Sequence, residues 1–280
     1  MGRKGDMAKK IKNIERILDQ GSGRINEDKL VCTDNLFGVF DGASSLVPDL
    51  YHGKTGAWWA SHLASSTFSK NDASLYNLGK RANQELSRTM SDMGVETGDK
   101  LQCWSTSVAA FQVEGDSVTW IQSGDSQVLA IYADGDFQLL TPYHNHDKET
   151  LQLLKKLYLQ GDPDPQSSLR PQVENIRRQM NQSYGVLNGE PVALDFLLRG
   201  SAALKDITHL LVFTDGLFPP GEDPEYQPDF RWVTDHFLQG GLLQVKEQIR
   251  ALEDRDPDCQ RYPRFKKHDD IAAIAVSFDS

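Results

Sequence analysis

Apolar runs in this chain stop or start on aspartates that lie far apart in sequence: Val39-Phe40-Asp41-Gly42, Ser123-Gly124-Asp125-Ser126, Val212-Phe213-Thr214-Asp215-Gly216 and Lys267-His268-Asp269-Asp270-Ile271. β-Branched and aromatic runs read as strands, and an aspartate where a strand ends is delivered to one end of a sheet. Carboxylates gathered at one end of a fold repel one another unless cations lie between them. Ligation by oxygen alone suits magnesium or manganese, and two such ions together suit phosphoryl chemistry. Asp-Gly is also ordinary turn chemistry, which accounts for Ala133-Asp134-Gly135-Asp136.

The pattern between these points predicts the architecture. Residues 11–42 read as strands broken at Gly21-Ser22-Gly23, the last being Leu36 to Phe40. Helices are expected over Gly53 to Phe68 and Ala73 to Met93, the second with Leu75, Leu78, Ala82, Leu86 and Met90 at the spacing of one buried face. Trp58 and Trp59 read as packing residues. From Ser105 the period falls to two, through Thr106–Phe111, Val118–Ile121, Val128–Tyr132 and Phe137–Leu140, with short turns between. That is a meander of antiparallel strands. Helices are expected again at 148–160 and 170–181, parted by the breaker Gly161-Asp162-Pro163-Asp164-Pro165. A strand at His209–Phe213, helices at Phe230–Leu238 and Leu242–Leu252, and a closing strand at Ile271–Phe278 complete the chain. Hairpin-linked strands argue for antiparallel sheets with helices layered outside. The whole chain, 1–280, is expected to form one domain.

A formal net charge of −10 argues against nucleic acid or an anionic membrane as partner, since both need a basic face. Cys32, Cys103 and Cys259 show no Cys-x-x-Cys pairing, so neither a disulfide framework nor a thiolate zinc site is indicated, and a reduced cytoplasm fits. The basic start, Met1 to Lys12, lacks the apolar core of a signal peptide. No apolar run approaches the ~20 residues that span a bilayer. A soluble, cytoplasmic monomer is expected.

Upstream of Asp41 stands Arg24-Ile25-Asn26-Glu27-Asp28. Together with Asp41-Gly42, Thr106-Ser107-Val108, Gly124-Asp125-Ser126, Thr214-Asp215-Gly216-Leu217 and Asp269-Asp270-Ile271, in that order, the chain resembles the metal-dependent Ser/Thr protein phosphatases of the 2C type, in their bacterial form. The resemblance runs from about Lys12 to Phe278. It implies an α+β fold, a central sandwich of two antiparallel sheets flanked by helical layers. It also implies two manganese or magnesium ions at one end, and a phosphorylated protein as substrate. Carried over, Asp41 bridges both ions, Glu27 and the carbonyl of Gly42 hold one, Asp215 and Asp269 complete the other, and Asp125 serves a third. Asp28 orients water and Arg24 grips the phosphoryl group, so that Asp41, Asp28 and Arg24 form the expected catalytic set.

Some positions depart from the family pattern. Arg24 precedes Glu27 by three residues, where many relatives have four. Ala43 stands where some relatives carry a histidine, and Pro219 where a ligand of a third ion would fall, with Asp223 close enough to reach back. His144 and His146 have a zinc-like spacing without convincing further ligands. Two other functions fit the same fold: a binding or regulatory module with weak turnover, and a phosphatase of small metabolites. Substrate choice is expected to lie in the charged segment Asp147 to Gly189.

Overall fold

The computed structural model describes residues 9–279, so the basic residues 1–8 lie outside the described residues. In chain order it contains β1 (Ile11–Asp19), β2 (Lys29–Cys32), β3 (Leu36–Gly42), α1 (Gly56–Phe68), α2 (Leu75–Asp92), β4 (Thr106–Glu114), β5 (Ser117–Ser123), β6 (Gln127–Tyr132) and β7 (Phe137–Leu139). There follow α3 (Lys148–Leu159), α4 (Pro165–Arg178), β8 (Leu198–Ala203), β9 (Ile207–Phe213), α5 (Phe230–Asp254) and β10 (Ile271–Phe278). The strands form two five-stranded sheets, ordered β1-β10-β9-β6-β7 and β2-β3-β4-β5-β8. Every neighbouring pair is antiparallel.

Strand periodicity divides the residues among layers. Phe37, Val39, Ala109 and Phe111 of one sheet meet Val128, Ala130, Val212 and Ile274 of the other in the middle of the sandwich. Their alternates point outward: Phe40, Val108 and Ala110 pack on Phe68, Leu78 and Ala82 of α1 and α2. Leu129, Leu211, Phe213 and Ala273 pack on Val233, Val245 and Ile249 of α5. Burial on both faces explains why β3, β4, β9 and β10 read as unbroken apolar runs rather than alternating ones. No helix among the described residues is long and apolar enough to cross a membrane.

Two elements differ from expectation. β8, Leu-Arg-Gly-Ser-Ala-Ala, has no apolar run to announce it, yet pairs along β5. Gly200 admits the Trp120 ring there, since a Cβ would lie 2.3 Å from it. α4 begins at Pro165 rather than 170, because the prolines read as a breaker start the helix instead. Asp164 caps it, its Oδ1 accepting from Ser167 N at 3.3 Å, and Pro165 stands in the first turn, where no intrahelical N–H is needed. The expected pair of helices near 230–252 is present within α5, broken at Gly240 and Gly241, where Gly241 has φ of 72°. Glu15 Oε2 caps the second half by accepting from Leu242 N at 2.9 Å.

Candidate active site

Register brings the distant aspartates together. In one sheet Asp41 pairs with Ser107 and Val108 with Ser123, so the end of β3, the start of β4 and the end of β5 share an edge. In the other, Gln127 and Ala273 both pair with Phe213. Thr214-Asp215, Asp269-Asp270 and Gly124-Asp125 therefore leave their strands at the same end. Lys29 pairs with Phe40, which places Glu27 and Asp28 there as well.

Buried groups fix this end. Asp28 is 2% exposed, and its Oδ2 accepts from Thr214 Oγ1 at 2.7 Å. Asp270 clamps the entering loop, its two oxygens accepting from Gly21 N and Glu27 N, each at 2.7 Å. Gly42 lies so near its neighbours that a Cβ would stand 2.4 Å from the Ala57 carbonyl oxygen and 2.9 Å from that of Glu27. Gly42→Ala therefore overpacks backbone that cannot yield. The expected cost is about 1–3 kcal/mol, read as a lowered thermal midpoint; an unchanged midpoint would show that α1 can shift.

The carboxylates share one electrostatic predicament. Burial, with the charge of Asp28, Asp125 and Asp269, raises the Asp41 pKa well above its ordinary value. Burial with Asp41, Asp269 and Asp125 does the same to Asp215. Asp28 is raised by burial and by Asp269, Asp215 and Asp270, against the hydrogen bond from Thr214. Asp125 is raised by burial, with His146 working the other way. The cation among them is Lys266, whose Nζ lies 2.6 Å from Asp269 Oδ1. Burial lowers its pKa, but Asp269, Asp41 and Asp215 outweigh that and hold it above the ordinary lysine value.

Two cavities meet at these groups. One, of about 580 Å³, runs between Tyr143, Pro219, Asp223, Trp232 and Tyr262. The other, of about 610 Å³, runs along Asp41, Ser44, Arg170, Arg177 and Tyr184. Asp125, Asp147, Asp215, Lys266 and Asp269 line both. Oxygen-only donors with an excess of negative charge are the set that magnesium or manganese prefers. Among the described residues no three His, Cys, Asp or Glu side chains stand close enough together to hold an ion without some movement.

Of the residues expected from sequence, Asp41, Gly42, Asp125, Asp215 and Asp269 line the cleft. Glu27 stands behind it, its carboxylate accepting from Thr55 Oγ1 at 2.6 Å and Ser44 Oγ at 3.0 Å. Arg24 is exposed and is not among the residues lining either cavity. His144 lines the cavity of Tyr143, while His146 stacks on Tyr184 at 4.3 Å with its Nδ1 3.8 Å from Asp125. Sequence reading missed Lys266, Thr214 and the clamping role of Asp270. Thr214 and Asp270 had a signal, their places beside Asp215 and Asp269 in the quoted motifs.

The model of the protein phosphatase 2C family matches residues 20–251. The chain belongs to that family. Comparison with curated protein sequences finds no match. Among solved structures, the serine/threonine phosphatase PstP/Ppp of Mycobacterium tuberculosis superposes with a TM-score of 0.61 at 16% identity, covering 96% of this chain and 99% of that one. The serine/threonine phosphatase Stp1 of Staphylococcus aureus gives 0.59 at 17%, covering all of both chains. The catalytic domain of PstP in complex with two manganese ions gives 0.58 at 14%, covering 96% and 98%. These identities speak to the fold, and the α+β sandwich expected from sequence is that fold. The family assignment makes the chain a protein serine/threonine phosphatase.

Proposed function

We propose that this protein 2C-type phosphatase hydrolyses phosphoserine and phosphothreonine in proteins with two manganese or magnesium ions, the chain acting as one catalytic unit. The observation that carries the reading is the meeting of Asp41, Asp125, Asp215 and Asp269 around one cleft. Asp41 would bridge the ions, Glu27 and the Gly42 carbonyl would hold one, Asp215 and Asp269 the other, and Asp125 a third. The relative described with two manganese ions supports this choice of metal.

When bound, the ions supply Lewis acidity to a water and offset charge on the phosphoryl oxygens. The protein's own part is orientation. Asp270 fixes the backbone on which Glu27 stands, and Thr214 fixes Asp28 Oδ2. Burial with Asp269, Asp215 and Asp270 raises the pKa of Asp28 while those carboxylates are uncompensated; bound ions would offset that charge, leaving Asp28 as an acceptor that orients water. Neither cavity is enclosed, and the two flank the carboxylates on both sides, which suits a segment of protein chain lying across the site. Arg170 and Arg177 of α4, within the segment expected to set substrate choice, form one wall. The three thiols are unpaired, as a reducing cytoplasm would leave them.

The reading predicts phosphate release from phosphothreonine peptides that requires manganese or magnesium, stops with chelator and returns when the ion is restored. Peptides should be turned over with higher kcat/KM than small phosphorylated metabolites. Release undiminished by chelator would overturn the metal dependence, and a preference for metabolites would overturn the substrate class.

A further inference from the structure

A phosphate monoester brings two negative charges to a cleft lined by carboxylates, and a cation of the chain is the group to meet the phosphoryl oxygens that the ions leave uncovered. Arg24 does not line the cleft. Lys29 is turned away, its Nζ donating to the Asn26 and Asp28 carbonyls and lying 5.3 Å from the centre of the Trp58 ring. Arg264 is consumed in structure, donating to Asp256 Oδ2 at 2.7 Å, to the Tyr262 carbonyl at 2.9 Å and to the Glu253 and Lys267 carbonyls at 3.0 Å each. Arg170 pairs with Glu174 at 2.9 Å, and Arg177 donates to the Ser44 carbonyl at 3.1 Å, both on the α4 wall.

Lys266 is paired too, with Asp269 at 2.6 Å, but its place is different. Among the described residues it is the one lysine or arginine that lines both cavities, standing where they join. Its side chain is 31% exposed, shielded enough to act strongly and open enough to touch a ligand. The loop that carries it is stapled by Arg264, whose donation to the Lys267 carbonyl fixes the neighbouring residue. A fixed backbone that holds an ammonium where two cavities join offers an anion contact.

We infer that Lys266 is the side chain that holds the substrate's phosphoryl group, the place that family resemblance assigns to Arg24. The inference rests on the metal-phosphatase reading, in which Asp269 turns to an ion and the ammonium beside it is left facing the incoming anion. Lysine grips as a point charge rather than as a fork, so contact is made through one or two phosphoryl oxygens without fixed geometry.

The test is calorimetric titration of the manganese-loaded protein with inorganic phosphate, alongside KM and kcat on a phosphothreonine peptide, for wild type, Lys266→Met, Lys266→Gln and Arg24→Ala. Loss of a charge-assisted contact should weaken phosphate binding in both Lys266 variants by about tenfold or more and raise KM more than it lowers kcat. Arg24→Ala should weaken it less. Manganese affinity, measured separately, should be equal or higher in the Lys266 variants, because a competing cation is gone from Asp269. Phosphate binding unchanged in both Lys266 variants, or lost in Arg24→Ala alone, would overturn the inference. Asp41→Asn should lose manganese binding. If it binds manganese as wild type does, the metal-site reading has failed, whatever the Lys266 variants show.

Discussion

Asp41→Asn and Asp215→Asn should each lower phosphate release at saturating manganese by about a thousandfold, the equivalent of roughly 4 kcal/mol of lost transition-state stabilisation. Asparagine keeps the shape and one oxygen but removes the charge that offsets a dication. Both residues stand on strand ends fixed by register, Asp41 opposite Ser107 and Asp215 two residues beyond Phe213, so the fold should survive. Initial rates, with circular dichroism as the check on folding, decide the matter. Near-normal turnover in Asp41→Asn with unchanged metal dependence would remove that residue from the bridging position.

A second large effect concerns stability. In chelator, Asp41→Asn should be more stable than wild type, because it removes a charge that burial and Asp28, Asp125 and Asp269 all disfavour. Manganese at about a hundred times its dissociation constant should add about 2.7 kcal/mol to wild type and little to the variant. The sign of the pH dependence follows. A carboxyl whose native pKa lies above its ordinary 3.8 holds more protons folded than unfolded between those two values. Its contribution to stability therefore falls as pH rises through that window. His62, His209 and His268, lowered by burial, act oppositely below their ordinary 6.5. Subtracting the variant from wild type removes the histidines and leaves the Asp41 carboxylate together with its effect on Asp215. In chelator, the advantage of Asp41→Asn should grow as pH rises from about the ordinary value upward, and urea unfolding at several pH values reads it. An advantage that shrinks with rising pH would mean that Asp41 is held as a favourable anion, and the account of a repelled cluster would fail.

The fold was legible where burial acts on both faces of a strand. Leu36 to Phe40, His209 to Phe213 and Ile271 to Phe278 are apolar because helices cover one side and the opposing sheet the other. β8 was illegible because an edge strand with Arg199 and Gly200 is shaped by Trp120 of its neighbour, not by its own pattern. The start of α4 was misread because proline breaks a helix in its interior but begins one readily, and only Asp164 at the cap tells the cases apart.

Of the candidate site, the aspartates that line the cleft were legible for a related reason, and Arg24, which does not line it, was not. Aspartates at strand ends mark themselves, whereas Lys266 lies in a basic run, Arg264-Phe265-Lys266-Lys267-His268, where nothing local distinguishes the lysine in the cleft from the one beside it. What sets Lys266 apart is its 2.6 Å contact with Asp269 and its place between two cavities, both products of the folded chain. Thr214 is similar: its bond to Asp28 joins positions 186 residues apart.

The central claim is that divalent ions sit on Asp41, and anomalous diffraction from crystals soaked in manganese, recorded at the manganese edge, tests it most directly. The account predicts two strong peaks flanking the Asp41 carboxylate, one of them also in contact with Asp215 and Asp269. Peaks elsewhere on the protein, with none at Asp41, would contradict it.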